Sequence, residues 1–574
     1  MEDPHRPRAS GRPRRRREGP RKLTASARQR ARRRQVRRRR AVSLALLGAL
    51  VFVLLLWLWP GDKQPASRQP WRMNVHSPAV SIRKEGDGIK MATFLGTESR
   101  RFYGRGPVPQ HLQLIWKTKL GGGWTEGIFG DDPDMYWSGT GWTGMPALIR
   151  DGGRLWLLIG GFNHNLHRID AASGKIAWTY DFGDVIKGSP SVLRNPHPHD
   201  EDDRYLVLAG SRRGFGVALD DPAVAPYRAV AFGSGEELWR LPEPRTACWS
   251  RDCDGSGFFL AGHQFIGLED GWFYDLDPCR TRPWEVNGQT FRQPVVREKR
   301  LLLGEPADAA AHEQRVEGAN LVLESSPTLL GNTIFIASGA GHIYGLRRND
   351  LAVVFDYRTG SDLDGTVVST RDGKLLVPVE KQYISGHGGV LLLDPREKPR
   401  RSPVWYFPTG ERRVAEWRGG VVGSVAVNDE YGGDRRYPPL AAFSSIDGYL
   451  YVVSQDTLAD GTVEGPNGEP GLSSPRLIFK AWVNSSISTP IIVDNSIVAA
   501  AYDGRVHLYR ITYTPAAKTD EGALRSRDGH WWTVSIRHTD SFAAGSAFES
   551  TPIVWDGRVY VGCRDGFFYC LGDR

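Results

Sequence analysis

The chain has 574 residues and a formal net charge of +10, but the positive charge is concentrated at one end. Residues 1–40 hold 17 Arg and Lys22 against three acidic residues, which leaves the rest of the chain with 57 basic and 62 acidic residues. The part that can fold is therefore slightly acidic, which argues against a nucleic-acid-binding domain. The five cysteines argue against a disulfide framework, because at least one of them is left unpaired.

An apolar segment follows the basic one. Residues 41–59 contain no charged side chain, and as a helix they nearly cross a hydrocarbon core of about 30 Å. Trp57 and Trp59 lie at its far end, where indole rings favour the lipid headgroup zone. Residues 37–40 are all Arg, so the positive-inside rule predicts a single-pass inner-membrane protein with a cytoplasmic N-terminus and an extracytoplasmic C-terminal domain. A cleaved signal peptide is the alternative, but no small-residue cleavage site follows closely.

The segments on either side of the apolar run have simple interpretations. Residues 1–40 are predicted to be a disordered cytoplasmic tail that lies on anionic lipid. A nucleic-acid-binding arm is the alternative, but no aromatic residues interleave the arginines. Residues 60–110 are rich in Pro, Gly and charge, and we interpret them as a stalk or linker.

A repeated phrase dominates the remaining sequence. It consists of Ser-x-Pro, a short apolar strand, a turn, a second strand, then Asp-Gly or Gly-x and a third strand, and its clear copies begin at Ser325, Ser488 and Ser550. Short strands that recur over roughly 40 to 60 residues are typical of propeller blades. Units of this kind begin near Gly144, Gly188, Ser250, Ser325, Gly365, Gly423, Ser486 and Glu549. We therefore predict an all-β fold, an eight-bladed β-propeller over residues 111–574.

The two ends of this domain predict how the ring closes. Most units end in an outer strand with an aromatic residue, but the last unit stops after the strand of residues 567–571. Residues 112–117, with Trp116, have the pattern of that missing outer strand. Pairing of the first strand with the last would remove the free edges of an open ring.

The closing phrase of the first unit carries a family resemblance. Asp170, Ser173, Gly174 and Trp178 stand at the spacing Asp-x-x-Ser-Gly-x-x-x-Trp, which resembles the pyrroloquinoline-quinone-like propeller repeat. That family contains quinone-dependent alcohol dehydrogenases and also non-enzymatic members, such as the propeller lipoprotein of the outer-membrane barrel-assembly machinery. The dehydrogenases hold their quinone against an adjacent Cys-Cys pair and a calcium ion, and this chain has no adjacent cysteines. The resemblance therefore favours a membrane-anchored, non-enzymatic member without the quinone.

A segment rich in tryptophan and acidic residues is the first candidate site. Aromatic and carboxylate side chains in a loop at the rim of a propeller suit a sugar, a peptide or a cation. The candidate rim residues are Trp124, Glu126, Asp131, Asp132, Asp134, Tyr136, Trp137 and Trp142. Packing of the tryptophans between blades is the alternative.

A partial calcium motif is the second candidate. Asp252, Asp254 and Ser256 supply oxygens at positions 1, 3 and 5 of a calcium loop, but Leu260 and His263 stand at positions 9 and 12, where acidic ligands are expected. A hairpin turn explains the same residues without metal. We therefore expect no resident cofactor, with calcium at this loop as the alternative. A disulfide between Cys248 and Cys253 is left open.

No nucleophile elbow, Cys-x-x-Cys motif or phosphate-binding loop is present in the sequence. The sequence thus predicts a non-catalytic binding or scaffolding module for a protein or glycan partner in the cell envelope. A quinone-dependent oxidoreductase and an extracytoplasmic sensor domain are the alternatives.

Overall fold

A computed structural model describes residues 73–80, 86–127, 133–141, 144–314, 318–431 and 437–574. The predicted tail and membrane segment lie outside these residues, as do Asp131, Asp132 and Trp142 of the predicted rim. Within the described ranges, no helix combines the length and apolar character needed to cross a bilayer. Residues 72–574 form one compact unit.

Eight sheets follow one another along the chain, and each is built on four antiparallel strands, which are in sequence order in blades 1 to 7. Blade 1 consists of Ala147–Asp151, Arg154–Gly160, Asn165–Asp170 and Ile176–Asp181, and blade 2 of Ser191–Arg194, Tyr205–Ala209, Tyr227–Ala231 and Glu237–Leu241. Blade 3 consists of Phe258–Leu260, His263–Gly267, Trp272–Val286 and Gln289–Leu301, and blade 4 of Thr328–Leu330, Thr333–Ala337, His342–Arg347 and Val353–Arg358. Blade 5 consists of Val368–Ser369, Leu375–Val379, Gly389–Leu393 and Pro403–Pro408, and blade 6 of Ala426–Val427, Leu440–Ser444, Tyr449–Val463 and Leu472–Trp482. Blade 7 consists of Ile491–Val493, Ser496–Ala500, Arg505–Pro515 and Trp531–Ala543, and blade 8 of Ile553–Trp555, Arg558–Gly562, Phe567–Gly572 and Gln113–Lys119. The predicted eight-bladed all-β propeller is confirmed.

Smaller elements decorate the blades. Three two-stranded hairpins, one strand beside blade 7, a short helix α1 and one turn of 3-10 helix complete the described structure. They are Gly122–Thr125 with Met135–Ser138, Glu313–Gln314 with Gly318–Ala319, Glu411–Val414 with Trp417–Gly419, Leu524–Arg525, α1 at Pro306–Ala311 and the 3-10 turn at Pro399–Arg401. The second strands of blades 4 to 7 are buried at every residue, because both faces of a blade pack against its neighbours.

Blade 8 takes its outer strand from the start of the domain. Gln113–Lys119 pairs antiparallel with Phe567–Gly572, with Gln113 opposite Gly572 and Lys119 opposite Phe567. The predicted closure by N- and C-terminal strands is therefore confirmed. It gives the last blade the same four-strand frame as the others, built from both ends of the domain.

A segment of the predicted stalk also belongs to the propeller. Residues 88–105, which we call the axial segment, lie against the inner strands of the ring. Gly88–Met91 pairs with the first strand of blade 1, and Gly104–Arg105 pairs with the first strand of blade 8. Between them, backbone and side-chain hydrogen bonds reach the inner strands of blades 2 to 6. The chain therefore enters the ring before residue 111.

Buried arginines explain why the composition of the axial segment suggests an exposed linker. Arg100 is fully buried and donates hydrogen bonds to the carbonyl oxygens of Phe94, Ser256 and Pro327 at 2.6 to 2.9 Å. Burial lowers the pKa of Arg100 to about 9. A segment rich in charged residues is usually exposed. Here the Arg100 guanidinium instead connects the axial segment to blades 3 and 4 by hydrogen bonds.

The tryptophan of the closing phrase docks one blade on the next. The indole N–H groups of Trp116, Trp178, Trp239 and Trp405 donate to carbonyl oxygens of the following blade at 2.8 to 3.1 Å. Gly235 packs on the Trp178 ring with φ of +79°, and a Cβ there would lie 2.7 Å from a ring carbon. The Gly and the Trp of the repeat are thus two halves of one contact between blades.

A chain of hydrogen bonds, which we call the hydroxyl belt, links the starts of the inner strands around the ring. In six of the eight blades, a backbone N–H at one repeat position donates to the side-chain hydroxyl at the same position of the next blade. The donors Met145, Ser256, Ser326, Thr366, Ser424 and Thr489 bond to Ser189, Ser326, Thr366, Ser424, Thr489 and Thr551, respectively, at 2.8 to 3.3 Å. All of these hydroxyl groups are buried.

The belt predicts the effect of removing a single hydroxyl. Thr489→Val keeps the shape of the side chain but leaves the buried N–H of Ser424 without an acceptor, which costs about 1–3 kcal/mol. We expect the free energy of unfolding in denaturant to fall by this amount, while Thr489→Ser stays close to the wild type. Thr290→Val, at an exposed position of blade 3, is the matched control. Equal stability of the two valine variants would contradict a structural role for the belt.

Candidate functional site

The belt determines which side chains reach the axis. Two residues before each belt position, the chain turns toward the centre of the ring, and the side chains there include Lys187, Asp254, Glu324, Asp364 and Glu549. Because the blades repeat this geometry, side chains that are 40 to 70 residues apart in sequence meet around one space.

A cavity of about 400 Å³ occupies that space at the N-terminal ends of the inner strands. Loops of the blades and two hairpins, those that contain Trp137 and Trp417, form its walls. Its lining combines charged, amide and aromatic side chains with a few aliphatic ones. The lining residues are Met135, Trp137, Phe162, Lys187, Arg212, Trp249, Asp252, Asn320, Glu324, Asp362, Asp364, Glu380, Gln382, Val414, Ala415, Glu416, Trp417, Ile487, Tyr502, Glu549 and Arg564.

Two of the cations at the cavity are held by acidic partners in blades 2 and 3. Lys187 pairs with Asp254. Arg212 Nε lies 2.8 Å from Asp252 Oδ2, and its Nη1 also donates to the Thr125 hydroxyl at 2.7 Å. Burial alone would raise the pKa of Asp252, but Arg212 and Lys187 outweigh it and hold that pKa below its usual value.

The third cation lies on the other side of the cavity. Arg564 Nη1 lies 2.8 Å from Glu549 Oε2, and the Tyr502 hydroxyl donates to Glu549 Oε1 at 3.1 Å. The guanidinium of Arg564 also stands 4.9 Å from the centre of the Phe162 ring. All three basic side chains in the cavity lining therefore already have a carboxylate partner.

Four acidic side chains of blades 4 and 5 have no such partner. Within the described residues, no Lys or Arg forms an ion pair with Glu324, Asp362, Asp364 or Glu380, which we call the carboxyl cluster. Asp364 lies in hydrogen-bonding contact with each of the other three. Two carboxyl groups can bond to one another only when one of them carries a proton.

The pKa values of the cluster follow from this arrangement. Burial, followed by the charge of Glu324, raises the pKa of Asp362 to about 8. Burial and then Asp362 raise the pKa of Asp364 to about 7. Burial and then Asp364 raise the pKa values of Glu324 and Glu380 well above the usual range. At neutral pH the cluster therefore retains protons unless a cation compensates its charge.

Two oxygens of the cluster lack a conventional donor. Asp362 Oδ2 accepts from the amides of Asn320 and Gln382 at 2.6 and 3.2 Å, but in the described structure no N–H or hydroxyl group donates to Asp362 Oδ1. Glu380 Oε1 also has no donor among these residues. Asp362 is 8% exposed and Glu380 is 3% exposed, so water satisfies neither oxygen freely.

The predicted rim residues separate into two groups. The strands Gly122–Thr125 and Met135–Ser138 pair, and alternation places Met135 and Trp137 in the cavity wall. Trp124 and Tyr136 lie on the other face of this hairpin, each more than half exposed, with ring centres 5.6 Å apart. Glu126 pairs with Arg213 outside the cavity lining, and Asp134 is exposed.

The residues of the predicted calcium loop have three different partners. Asp252 binds Arg212, Asp254 binds Lys187, and the Ser256 hydroxyl lies 2.9 Å from the Thr93 hydroxyl of the axial segment. No group of three or more His, Cys, Asp or Glu side chains within the described ranges is arranged to hold a metal ion. Calcium at this loop, the alternative to the expected absence of a cofactor, stays untested. Cys248 and Cys253 are both buried free thiols.

Sequence reasoning missed most of the cavity. The predicted sites include Trp137 and Asp252 of its lining, but they include none of Glu324, Asp364 or Glu549. The available signal was a single repeat position, the residue before each Ser-x-Pro, Gly-Ser or Gly-Thr phrase, which is acidic or basic in five units. Glu380 and Asp362 have no such regular position, and only the folded ring brings them to the cluster.

No protein-family model and no curated protein match the chain. Among solved structures, it is similar to BamB from Moraxella catarrhalis, with 14% identity over 80% of this chain and 100% of that chain and a TM-score of 0.44. It is also similar to the computationally designed Ika8 protein, with 11% identity over 79% of this chain and 99% of that chain and a TM-score of 0.40. The strand pairing itself, and not these likenesses, defines the chain as an eight-bladed β-propeller with an acidic central cavity.

The raised pKa values predict how stability depends on pH. Asp362 has a usual pKa of 3.8 and a folded value of about 8. Its contribution to stability is therefore fully present below about pH 4 and is lost as pH rises through 8. Asp362→Asn removes this loss, so we expect the variant to gain stability over the wild type by at least about 1 kcal/mol at pH 8.5 compared with pH 5.

The measurement is denaturant unfolding of both proteins across this pH range, without added ligand. Glu298→Gln, on an exposed outer strand of blade 3, serves as the control and should track the wild type at every pH. A difference between Asp362→Asn and the wild type that does not change with pH would contradict the raised pKa.

Proposed function

We propose that this protein is a membrane-anchored, extracytoplasmic binding module that takes its ligand or partner in the central cavity and catalyses no reaction. The observation that carries the proposal is the cavity itself, where aromatic walls surround four buried or half-buried carboxyl groups that form no ion pair with a Lys or Arg of the described residues. Protein interiors do not leave such groups uncompensated without cost, and functional sites are where they occur.

The residues that line the cavity also favour a binding function over quinone-dependent oxidation. Pyrroloquinoline quinone carries carboxylates, and in this cavity they would lie near the carboxyl cluster, while the three cations of the lining already have partners. The lining contains no His, Cys or Ser among the described residues, so the Ser-His and Cys-His pairs that are common in nucleophilic catalysis have no counterpart in it.

The membrane anchor has support in the sequence. Residues 41–59 are uncharged and residues 37–40 are all Arg, which together favour a cytoplasmic tail and an exported propeller. Anchoring would hold the cavity at the membrane surface and raise the local concentration of a membrane-bound partner.

This topology predicts the behaviour of two C-terminal fusions. Alkaline phosphatase fused after Arg574 should be active, because the enzyme matures only outside the cytoplasm, and a green fluorescent protein at the same position should be dark. Replacement of residues 37–40 by Glu is the matched perturbation and should weaken the phosphatase signal. An inactive phosphatase together with a fluorescent fusion would overturn the proposed topology.

Binding in the cavity predicts where a ligand can be captured. Benzoylphenylalanine in place of Trp417, in the cavity wall, should give a specific adduct on irradiation of intact membranes, detected by mass spectrometry. The same photoprobe in place of Val353, an exposed residue on the outer strand of blade 4, is the control. The proposal would be wrong if position 417 gave no adduct that position 353 lacks.

A further inference from the structure

We propose that the central cavity binds a protonated amine, with the carboxyl cluster as its counter-charge and the aromatic side chains as its walls. This inference rests on the proposed function and adds the chemical class of the ligand. The ammonium group can belong to a free amine or to a lysine side chain of a partner, since both present the same donors.

The first argument is the balance of charge. Lys187, Arg212 and Arg564 each form an ion pair with a carboxylate outside the carboxyl cluster, and none of them forms one with the cluster. Lys187 attracts Glu324 and Asp364 from a longer distance, but the pKa values of both carboxyls stay raised. Four carboxyls in so poorly solvated a place are costly when ionised, and a ligand cation supplies the missing compensation. An anionic ligand would add to the cost.

The second argument is the kind of hydrogen bond that is missing. No N–H or hydroxyl group donates to Asp362 Oδ1 or Glu380 Oε1 in the described structure, so a proton shared within the carboxyl cluster is the donor that remains, and both residues line the cavity. An ammonium group carries three N–H donors and no acceptor, so it can replace shared carboxyl protons as the donor to the cluster and brings no unmatched acceptor of its own. Such bonds to a charged group are stronger than neutral ones.

The third argument is the shape and surface of the remaining space. Trp417 and Tyr502 present aromatic rings to the cavity beside the acidic side chains, and such rings attract cations as well as apolar chains. A volume of about 400 Å³ lies in the range of small-molecule sites. An alkyl chain with an ammonium head therefore fits both the walls and the acidic end.

A divalent metal is a poorer match to the same cavity. Calcium requires six to eight oxygens that converge on one point. Among the described residues no acidic group is arranged in that way, as the partners of Asp252 and Asp254 illustrate. A flexible organic cation needs only two or three of the oxygens.

The ligand should bind more tightly as pH rises from 6 to 8.5, because Asp362 and Asp364 of the carboxyl cluster lose their protons in this range while an alkylamine keeps its own. Binding should also release protons, since the cation lowers the pKa of the carboxyls. The other charged groups that face the cluster and the cavity are Lys187, Arg212, Asp252, Asp254, Glu269, Glu416, Glu549 and Arg564.

The test is titration calorimetry of the full-length protein in detergent. The probes are 1,5-diaminopentane, Nα-acetyl-lysine methylamide and the neutral 1,5-pentanediol, and two buffers of different ionisation enthalpy report released protons. We expect both amines to bind and the diol not to bind. Glu380→Gln and Asp362→Asn should each weaken amine binding about tenfold or more, because each removes a charged acceptor. Glu298→Gln should bind like the wild type.

Two variants keep the test informative if one of them fails to fold, which circular dichroism would detect. Binding of the acetylated lysine but not of the diamine would assign the site to a protein side chain, and the reverse would assign it to a free amine. The inference is overturned if neither amine binds, if both variants bind like the wild type, or if calcium binds through Glu380 and excludes the amines. An adduct at position 417 without amine binding would leave the proposed function standing and remove only the ammonium ligand.

Discussion

The hydroxyl belt is the interaction on which the rest of the structure depends. Before six of the eight inner strands, a backbone N–H donates to the hydroxyl of the next blade. A buried N–H must find an acceptor, so this one bond sets both the spacing and the orientation of neighbouring blades. Seven of the eight units have Ser or Thr at this position, and six of these hydroxyls accept a belt bond, whereas the Ser256 hydroxyl contacts Thr93 of the axial segment and blade 1 has Met145.

The belt also brings charged side chains of several blades close together at the axis. Since it orients each blade in the same way, the residues two positions earlier all approach the centre, where their charges interact at short range in a poorly solvated space. Blade 2 contributes Lys187 and blade 3 contributes Asp254, and these two charges cancel. Blades 4 and 5 contribute Glu324 and Asp364, which cannot cancel, and the result is a cavity with one acidic side.

The asymmetry of the cavity is therefore a consequence of sequence differences within a nearly symmetric ring. The carboxyl cluster belongs to blades 4 and 5, whereas Phe162 and Arg564 belong to blades 1 and 8, which lie across the ring. The axial segment passes the inner strands of most blades and reinforces the ring that holds these side chains apart. A rigid frame of this kind can keep like charges close together, because relaxation of one blade would break belt bonds on both sides.

Much of the architecture was determined by the sequence alone. The Ser-x-Pro phrase, the Gly and Trp of the closing phrase and the strand around Trp116 predict eight blades and their closure, because these contacts repeat between neighbouring blades at regular sequence spacing. The charge contrast between residues 1–40 and 41–59 likewise stands in the sequence, and it supports a topology without reference to the fold. The composition of residues 88–105 led to their interpretation as part of a stalk, because a sequence does not distinguish buried arginines from exposed ones.

Only the tertiary structure decided which acidic residues lack a partner. Asp252 and Asp254 resemble metal ligands in the sequence, yet Arg212 and Lys187 neutralise them. Glu324 and Asp364 carry no such signal in the sequence, yet they form the carboxyl cluster with Asp362 and Glu380. The physical reason is distance. Pairing of charges depends on separations of a few ångströms around the axis, and those separations arise between residues of different blades that no local pattern connects.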